Sequence, residues 1–326
     1  MRRREFIAGL GAAAMPVTAR AQQVGRIRRI AVLVGFAETD PESRSHFAAL
    51  RQAFEQMGWK EGVNLRIDVR FGAGDPQRIQ FAAKELLDMA PDVVIADSTP
   101  AALAMKGITQ TKPIIFIQAG NPVGSGLVAS LSRPGGNLTG FTNYIPSMGG
   151  KCLELLKEIA PRVERAAALF NPKTHTGQYW SVLEAAARVA NVSFSKAGVE
   201  DSAALTRAVE EMASRTGGGL LIMPDAFTMS HRVEIVALAE RHRVPAIYPY
   251  RVFAADGGLI SYGMDRSRVY RDAASYADRI LRGEKPSDLP VQAPSKLELV
   301  INLKTAKALG LDVPAILQQR ADEVIE

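Results

Sequence analysis

The sequence predicts an α/β protein made of two doubly wound parallel-sheet lobes joined by a hinge. Three observations predict it. From Ile27 onward, short apolar runs rich in β-branched residues alternate with amphipathic stretches. This β-α-β alternation gives a parallel sheet with right-handed crossovers. The length, 326 residues, suits two such units better than one. The stretch Ile114–Pro146 then stands between two runs of the alternation. It opens as a strand-like run, Ile114–Ile117, and breaks into a glycine-studded polar loop, Gln118–Gly126. A helical piece is predicted at Leu127–Leu131, a turn at Arg133–Asn137 and a second strand at Leu138–Thr142. This stretch is expected to end the first lobe, line a cleft and cross to the second lobe.

The elements follow in order. Met1–Ala21 reads as an export signal. Three arginines precede a mild apolar stretch, Phe6–Val17, and Ala19-Arg20-Ala21 is a small-x-small cleavage site. Arg3-Arg4-Glu5-Phe6-Ile7 fits the twin-arginine pattern, with an ordinary secretory signal as the alternative. Ile30–Val34 is continuously apolar, as a strand covered on both faces must be. The next helix turns Phe47, Leu50, Phe54 and Met57 to one side and stops at Gly58. Leu65–Phe71 alternates and reads as an edge strand. Helix Pro76–Met89 carries Ile79, Ala82, Ala83, Leu86 and Leu87 inward. Val93–Ala96 is a buried strand and Ala101–Ile108 a short helix.

The second unit repeats the plan. Helix Met148–Ile159 leads to strand Ala166–Phe170, helix Tyr179–Ala190 and a short strand near Val192–Phe194. Helix Ala203–Ser214 precedes the buried strand Gly219–Met223, and helix Val233–Arg241 precedes strand Ala246–Tyr248. Gly258–Ser261 is one more strand. Helix Tyr270–Leu281 has Tyr270, Ala273, Ala274, Ala277 and Ile280 on its apolar side. Pro286–Pro294 is an extended connector. Strand Leu297–Ile301, helix Lys304–Leu309 with its stop at Gly310, and a terminal helix opening at Pro314–Gln319 finish the chain.

Five pairs, Asp40-Pro41, Asp75-Pro76, Thr99-Pro100, Asn121-Pro122 and Asn171-Pro172, each follow a predicted strand. A short polar residue suits a helix N-cap, and proline suits the first helical position. Five strand ends are therefore expected to open onto helix N-termini. In a parallel sheet these lie on the edge where open α/β folds bind ligands, and their N–H groups favour an anion.

Other chemistries find little support. The net charge of +6 includes four arginines against one glutamate in residues 1–21, and no basic block with interleaved aromatics follows. Nucleic-acid binding is not expected. The single cysteine, Cys152, lies among leucines of a helix and reads as a buried thiol. His46, His175, His231 and His242 are scattered without metal spacing; only His175 falls in a predicted cleft loop. Nucleophile elbows, phosphate loops and zinc motifs are absent, so neither an enzyme nor a cofactor is expected. What does converge is a set of loops at strand ends: Gly35–Ser43, Asp97–Thr99 and Gln118–Asn121 from one unit, Asn171–Gly177, Pro224–Ser230 and Pro249–Arg251 from the other. They are rich in Asn, Asp, Ser, Thr and aromatics, the side chains that orient a small solute. Two lobes with such loops face to face form a hinged clam-shell.

The C-terminal third carries a resemblance. It runs from ALAERHRVPAIYPYRVFAADGGLISYGMD through YRDAASYADRILRGEKPSDLPVQAPSKLELVINLKTAKALGLDVP to RADEVIE. With GNPVGSGLVASLSRPGGNLTG, the FNP turn at Phe170–Pro172 and GGLISYG, it resembles the ABC-transporter substrate-binding protein family that includes tryptophan-binding members. The resemblance covers essentially all of the chain beyond the export signal. It implies a type I periplasmic-binding fold with three interlobe crossings and no catalysis. It further implies lobe 1 from residues 27–142 plus 266–292, and lobe 2 from residues 143–265 plus 293–326. By position, Ser98, Thr99, Gln118 and Asn121 would contact ligand from lobe 1, and Asn171, Asp225 and Tyr250 from lobe 2. Tyr144 and Tyr262 would sit near hinge crossings, with Asp265 just after the second. Ser98-Thr99 would take a carboxylate, and Asp225 could pair with an amine or act as a helix N-cap. Asn121 departs from the aspartate expected in relatives.

The expected function is capture of a small organic solute, an amino acid, aromatic or other carboxylate, in the periplasm. The expected partners are that solute and an ABC permease in the inner membrane, with the binding protein a monomer. An exported sensing partner of a membrane receptor and an exported enzyme are the alternatives.

Overall fold

The computed structural model describes residues 26–38, 42–143, 145, 147–175 and 180–326. The export-signal segment, Asp40-Pro41 and Tyr144 lie outside them. The first sheet holds β1 (Arg28–Val34), β2 (Leu65–Phe71), β3 (Val93–Asp97), β4 (Ile114–Ala119) and β5 (Leu138–Thr142), all parallel in the order β2-β1-β3-β4-β5. Its connecting helices are α1 (Ser43–Gln56), α2 (Pro76–Asp88) and α3 (Thr99–Ile108). Alternation in β1 shows why the run had to be continuously apolar. Ile30, Val32 and Val34 join the core on one face, and Ala31 and Leu33 join a separate core with Ile79, Leu86 and Met105 on the other.

The second lobe contains α4 (Met148–Ile159), β6 (Arg165–Phe170), α5 (Trp180–Val189), β7 (Ser193–Gly198), α6 (Ser202–Ala213), β8 (Gly218–Ile222), α7 (Ala226–Ser230), α8 (Arg232–Arg241), β9 (Ala246–Tyr248), α9 (Arg251–Ala255) and β10 (Ile260–Met264). Then α10 (Arg266–Leu281) returns to cover the first sheet beside α1. Trp59 Nε1 donates to Asp278 Oδ1 at 2.7 Å, and Tyr270 lies edge-on to Phe47 at 5.7 Å. The chain finishes with β11 (Leu297–Asn302), α11 (Leu303–Leu309), α12 (Ala315–Arg320) and β12 (Glu323–Ile325) in the second lobe. That sheet has the order β12-β11-β10-β9-β8-β6-β7, and its β10–β11 pair is antiparallel.

Three segments join the lobes: the residues after β5, the β10–α10 junction, and the run into β11. The first and third pair with each other. Thr142 N donates to Gln292 O, and Gln292 N to Gly140 O, both at 2.9 Å. Gly140, at φ 152°, is required here, since a Cβ would lie 1.9 Å from Phe116 O.

Three sequence readings need correction. Leu127–Leu131 is not helical. Leu127 and Val128 are buried, but Val128 N bonds Pro122 O and Ala129 N bonds Pro134 O, so the backbone groups are committed to turns. Gly126, at φ 71°, sits in the same segment. The X-Pro pairs also serve unequally. Asp75 is an N-cap, accepting from Gln77 N and Arg78 N. Ser98, not Thr99, caps α3, while Asn121 and Asn171 open turns. Finally, β12 went unpredicted, because its half-buried Glu-Val-Ile has neither the length nor the pattern of a core strand. Among the described residues, no helix is long and apolar enough to cross a membrane, and no group of His, Cys, Asp or Glu could hold a metal ion.

Candidate functional site

Both sheets reverse their strand order at one point, and the site lies there. In the first sheet the reversal falls between β1 and β3, in the second between β6 and β8. Loops diverge at such points and leave a crevice. Phe36, Ser98, Thr99, Pro100, Gln118 and Gly120 form the first-lobe wall of that crevice. Asn143, Thr174, Pro224, Asp225, Ala226 and Tyr250 form the facing wall. The lobes are drawn together. Only about 20 Å³ remains between the walls, room for roughly one water.

On the first wall the backbone is forced. Ser98 has φ 104° and ψ 157°, a region that only glycine adopts freely. Gly35 makes this possible, because a Cβ there would meet Ser98 Oγ at 2.2 Å. The strained turn directs the start of α3 at the cleft. Ser98 Oγ accepts from Ala101 N, and Thr99 Oγ1 accepts from Gly120 N at 3.1 Å, tying two strand ends together. Gln118 is also left-handed, at φ 57°, and the β4–β5 register slips between Phe116 and Ala119. Its Nε2 donates to Asp97 Oδ1 at 2.6 Å and its Oε1 accepts from Arg266 Nε at 3.0 Å.

Behind this wall lies a buried polar network absent from the sequence reading. Asp97 is fully buried and accepts from Tyr270 Oη at 2.5 Å. The Arg266 guanidinium, 4 % exposed, stands 3.6 Å from Glu42 and 4.0 Å from Asp97. It also stacks over the rings of Phe36 at 4.9 Å and Tyr250 at 5.5 Å, one from each wall. Arg266 thus positions three wall residues at once. One signal could have exposed it: an arginine in the first turn of a helix opposes the helix dipole and needs another reason to be there.

On the second wall Asp225 is the N-cap of α7 and forms a capping box with Thr228. It also accepts from Asn171 N at 3.0 Å and Thr174 Oγ1 at 3.3 Å, fastening the loop after β6. Burial outweighs these bonds and pushes its carboxyl up to about 6. Tyr250 Oη takes a hydrogen bond from Asn143 Nδ2 at 3.2 Å, and burial pushes its phenol up to about 12.

The cleft therefore brings together Ser98, Thr99, Gln118, Asp225 and Tyr250 from the sequence reading. Asn121 and Asn171 are buried next to it but serve local turns: Asn121 Oδ1 accepts from Gly124 N and Asn171 Oδ1 from Lys173 N. Tyr262 borders a separate apolar cavity with Met148 and Cys152 in the second lobe. Burial there raises the Cys152 thiol to about 12, far from thiolate chemistry. Asp265 caps α10 and lines a groove of about 270 Å³ beside the crossings. His175 packs against Phe170 and Trp180, and burial lowers it to about 4. Phe36, Asn143 and Thr174 were missed as wall residues, although Phe36 and Thr174 lie in loops flagged by their polar and aromatic composition; Asn143 lies in the first crossing, outside those loops.

Two parallel-sheet α/β lobes, a three-segment hinge and a crevice between facing switch points define a type I periplasmic-binding protein. The profile of the ABC transporter substrate binding protein family matches residues 30–325, and the chain belongs to that family. It is 28% identical over 261 residues to the tyrosine-binding protein of Clostridioides difficile (strain R20291), covering 80% of this chain and 75% of that protein. The fold is similar to a conserved domain protein from Vibrio cholerae O1 biovar El Tor, with a TM-score of 0.85 and 26% identity over 92% of this chain and all (100%) of that one. It is also similar to an ABC domain from Streptococcus pneumonia in complex with L-Trp, with a TM-score of 0.84, 25% identity and the same coverage, 92% and 100%.

Proposed function

We propose that this protein is the exported solute receptor of an ABC import system and captures an aromatic α-amino acid between its lobes by hinge closure. The carrying observation is the opposed chemistry of the two cleft walls. One wall presents the start of α3, where the Ser98 and Thr99 hydroxyls and first-turn N–H groups suit a carboxylate. The other presents the unpartnered acceptor Asn143 Oδ1 beside the Tyr250 ring. Phe36, Pro100 and Pro224 add apolar surface for a side chain. Relatives that bind tyrosine and L-Trp support the same class of ligand.

The mechanism is selection of a closed form. The lobes separate, solute binds to one wall, and closure brings up the second. Differential affinity for the closed state holds it there. A permease in the inner membrane then reads the closed shape, with the receptor acting as a periplasmic monomer and carrying out no chemistry. The test is a thermal-shift and calorimetric screen against L-amino acids, aromatic acids and small carboxylates. A solute at 100 times its Kd adds about 2.7 kcal/mol of stability. Failure of every amino acid to shift the transition would refute the reading.

A further inference from the structure

Asn143 stands where the first crossing leaves β5 and is 5 % exposed. Its Nδ2 is held by Tyr250 Oη, while its Oδ1 is screened from solvent and accepts from no protein group. Buried acceptors are rarely left in that condition, because the lost hydration is not returned. The residue lines the cleft, so a guest there can supply the missing donor.

The neighbouring acceptors are committed. Gln118 Oε1 takes Arg266 Nε. Asp225 Oδ1 takes Thr228 N and Thr174 Oγ1, and Oδ2 takes Asn171 N. Asn143 Oδ1 retains full capacity for a donor. Across the cleft, the start of α3 offers donors for an anion.

We propose that Asn143 Oδ1 receives the α-ammonium of the ligand, with Tyr250 fixing the amide, and that this contact selects amino acids over the same acids without an amine. The inference rests on the amino-acid reading above and deepens it. Asn143 is then a specificity-determining residue, and Asp225 a positioning residue for the loop after β6.

The experiment is calorimetric titration of wild type, Asn143→Leu and Asn143→Asp. The probes are L-tryptophan and L-tyrosine, indole-3-propionate and 3-(4-hydroxyphenyl)propionate as the amine-free acids, and tryptamine and tyramine as the carboxylate-free amines. Wild type should prefer the amino acid over the amine-free acid by about 10- to 100-fold, the worth of one hydrogen bond to a charged group. Asn143→Leu should lose that preference yet keep its preference over the amine. Asn143→Asp should bind the amino acid within about tenfold of wild type and reject the amine-free acid further, by like-charge repulsion. This second variant decides the matter if the leucine variant does not fold. The inference is overturned if Asn143→Leu keeps the wild-type preference, if it loses the preference over the amine instead, or if Asn143→Asp binds the amine-free acid like wild type. Equal wild-type affinity for amino acid and amine-free acid overturns this inference alone. Wild-type binding of no amino acid overturns it together with the proposed function.

Discussion

Ser98 shows what one residue contributes at this site. A serine at φ 104°, ψ 157° carries roughly 1–3 kcal/mol of strain. Replacing it with glycine relieves the strain but removes a hydroxyl from the cleft. Ser98→Gly should therefore raise stability in urea denaturation by about 1 kcal/mol while weakening solute binding several-fold. A loss of stability would mean that the turn is not strained. Asp225 gives a pH signature. Its carboxyl titrates near 6 in the folded protein and near 3.8 in the unfolded chain, so the folded state holds the proton more tightly. That contribution is complete below pH 3.8 and disappears as pH rises through about 6. Against Asp225→Asn, wild type should lose roughly 2 kcal/mol of stability between pH 4 and pH 7. A gap that stays constant with pH refutes the shift. At this scale the sequence was half legible. Ser98, Thr99 and Tyr250 stood out as polar or aromatic residues at strand ends. Asn143 did not, because only packing shows that its buried Oδ1 is left without a donor.

The decisive element is α10, whose first residue reaches further than the rest of the helix. Arg266 touches Gln118, Phe36 and Tyr250 while neighbouring Asp97 and Glu42. Arg266→Met would remove the cation beside buried Asp97 and half-buried Glu42 and should cost about 3–5 kcal/mol in denaturation. Arg266→Lys keeps the charge but loses the planar fork and should recover only part of the loss. If the lysine variant matches wild type, charge alone explains the residue. Most elements were legible from apolar periodicity, since β1, β3 and β4 are buried on both faces and read as continuous apolar runs. The failure at Leu127–Leu131 has a matching cause: buried leucine and valine imitate a helix face even where glycines and prolines direct the backbone into turns.

For the whole molecule, the tightness of the cleft sets the terms of binding. Only about 20 Å³ remains between the walls, so a solute enters only when the lobes part. The lip of the opening can be tested separately from the walls. A Cβ on Gly74, in the first lobe, would come 3.3 Å from Oγ of Ser230, the exposed last residue of α7 in the second. Ser230→Trp should prop the lobes apart. It should weaken binding by about tenfold or more and enlarge the radius of gyration measured by X-ray scattering, with little change in the melting temperature without ligand. Unchanged affinity would show that closure does not bring these surfaces together. The two-lobe plan was readable because the β-α-β alternation occurs twice. The strand at β11 was read from its apolar run, but its antiparallel pairing was not, because direction within a sheet leaves no mark on such a run.

The return of α10 to the first sheet also constrains how the protein is made. All strands of that sheet have been synthesised once the ribosome passes Thr142. The partners that cover the α1 face, Tyr270 and Asp278 among them, follow only after most of the second lobe has been translated. Until then the nascent first lobe exposes Phe47, Phe54 and the apolar face of β1. A ribosome-stalled chain ending before residue 266 should therefore bind chaperones or aggregate, whereas one extended past residue 292 can complete the lobe.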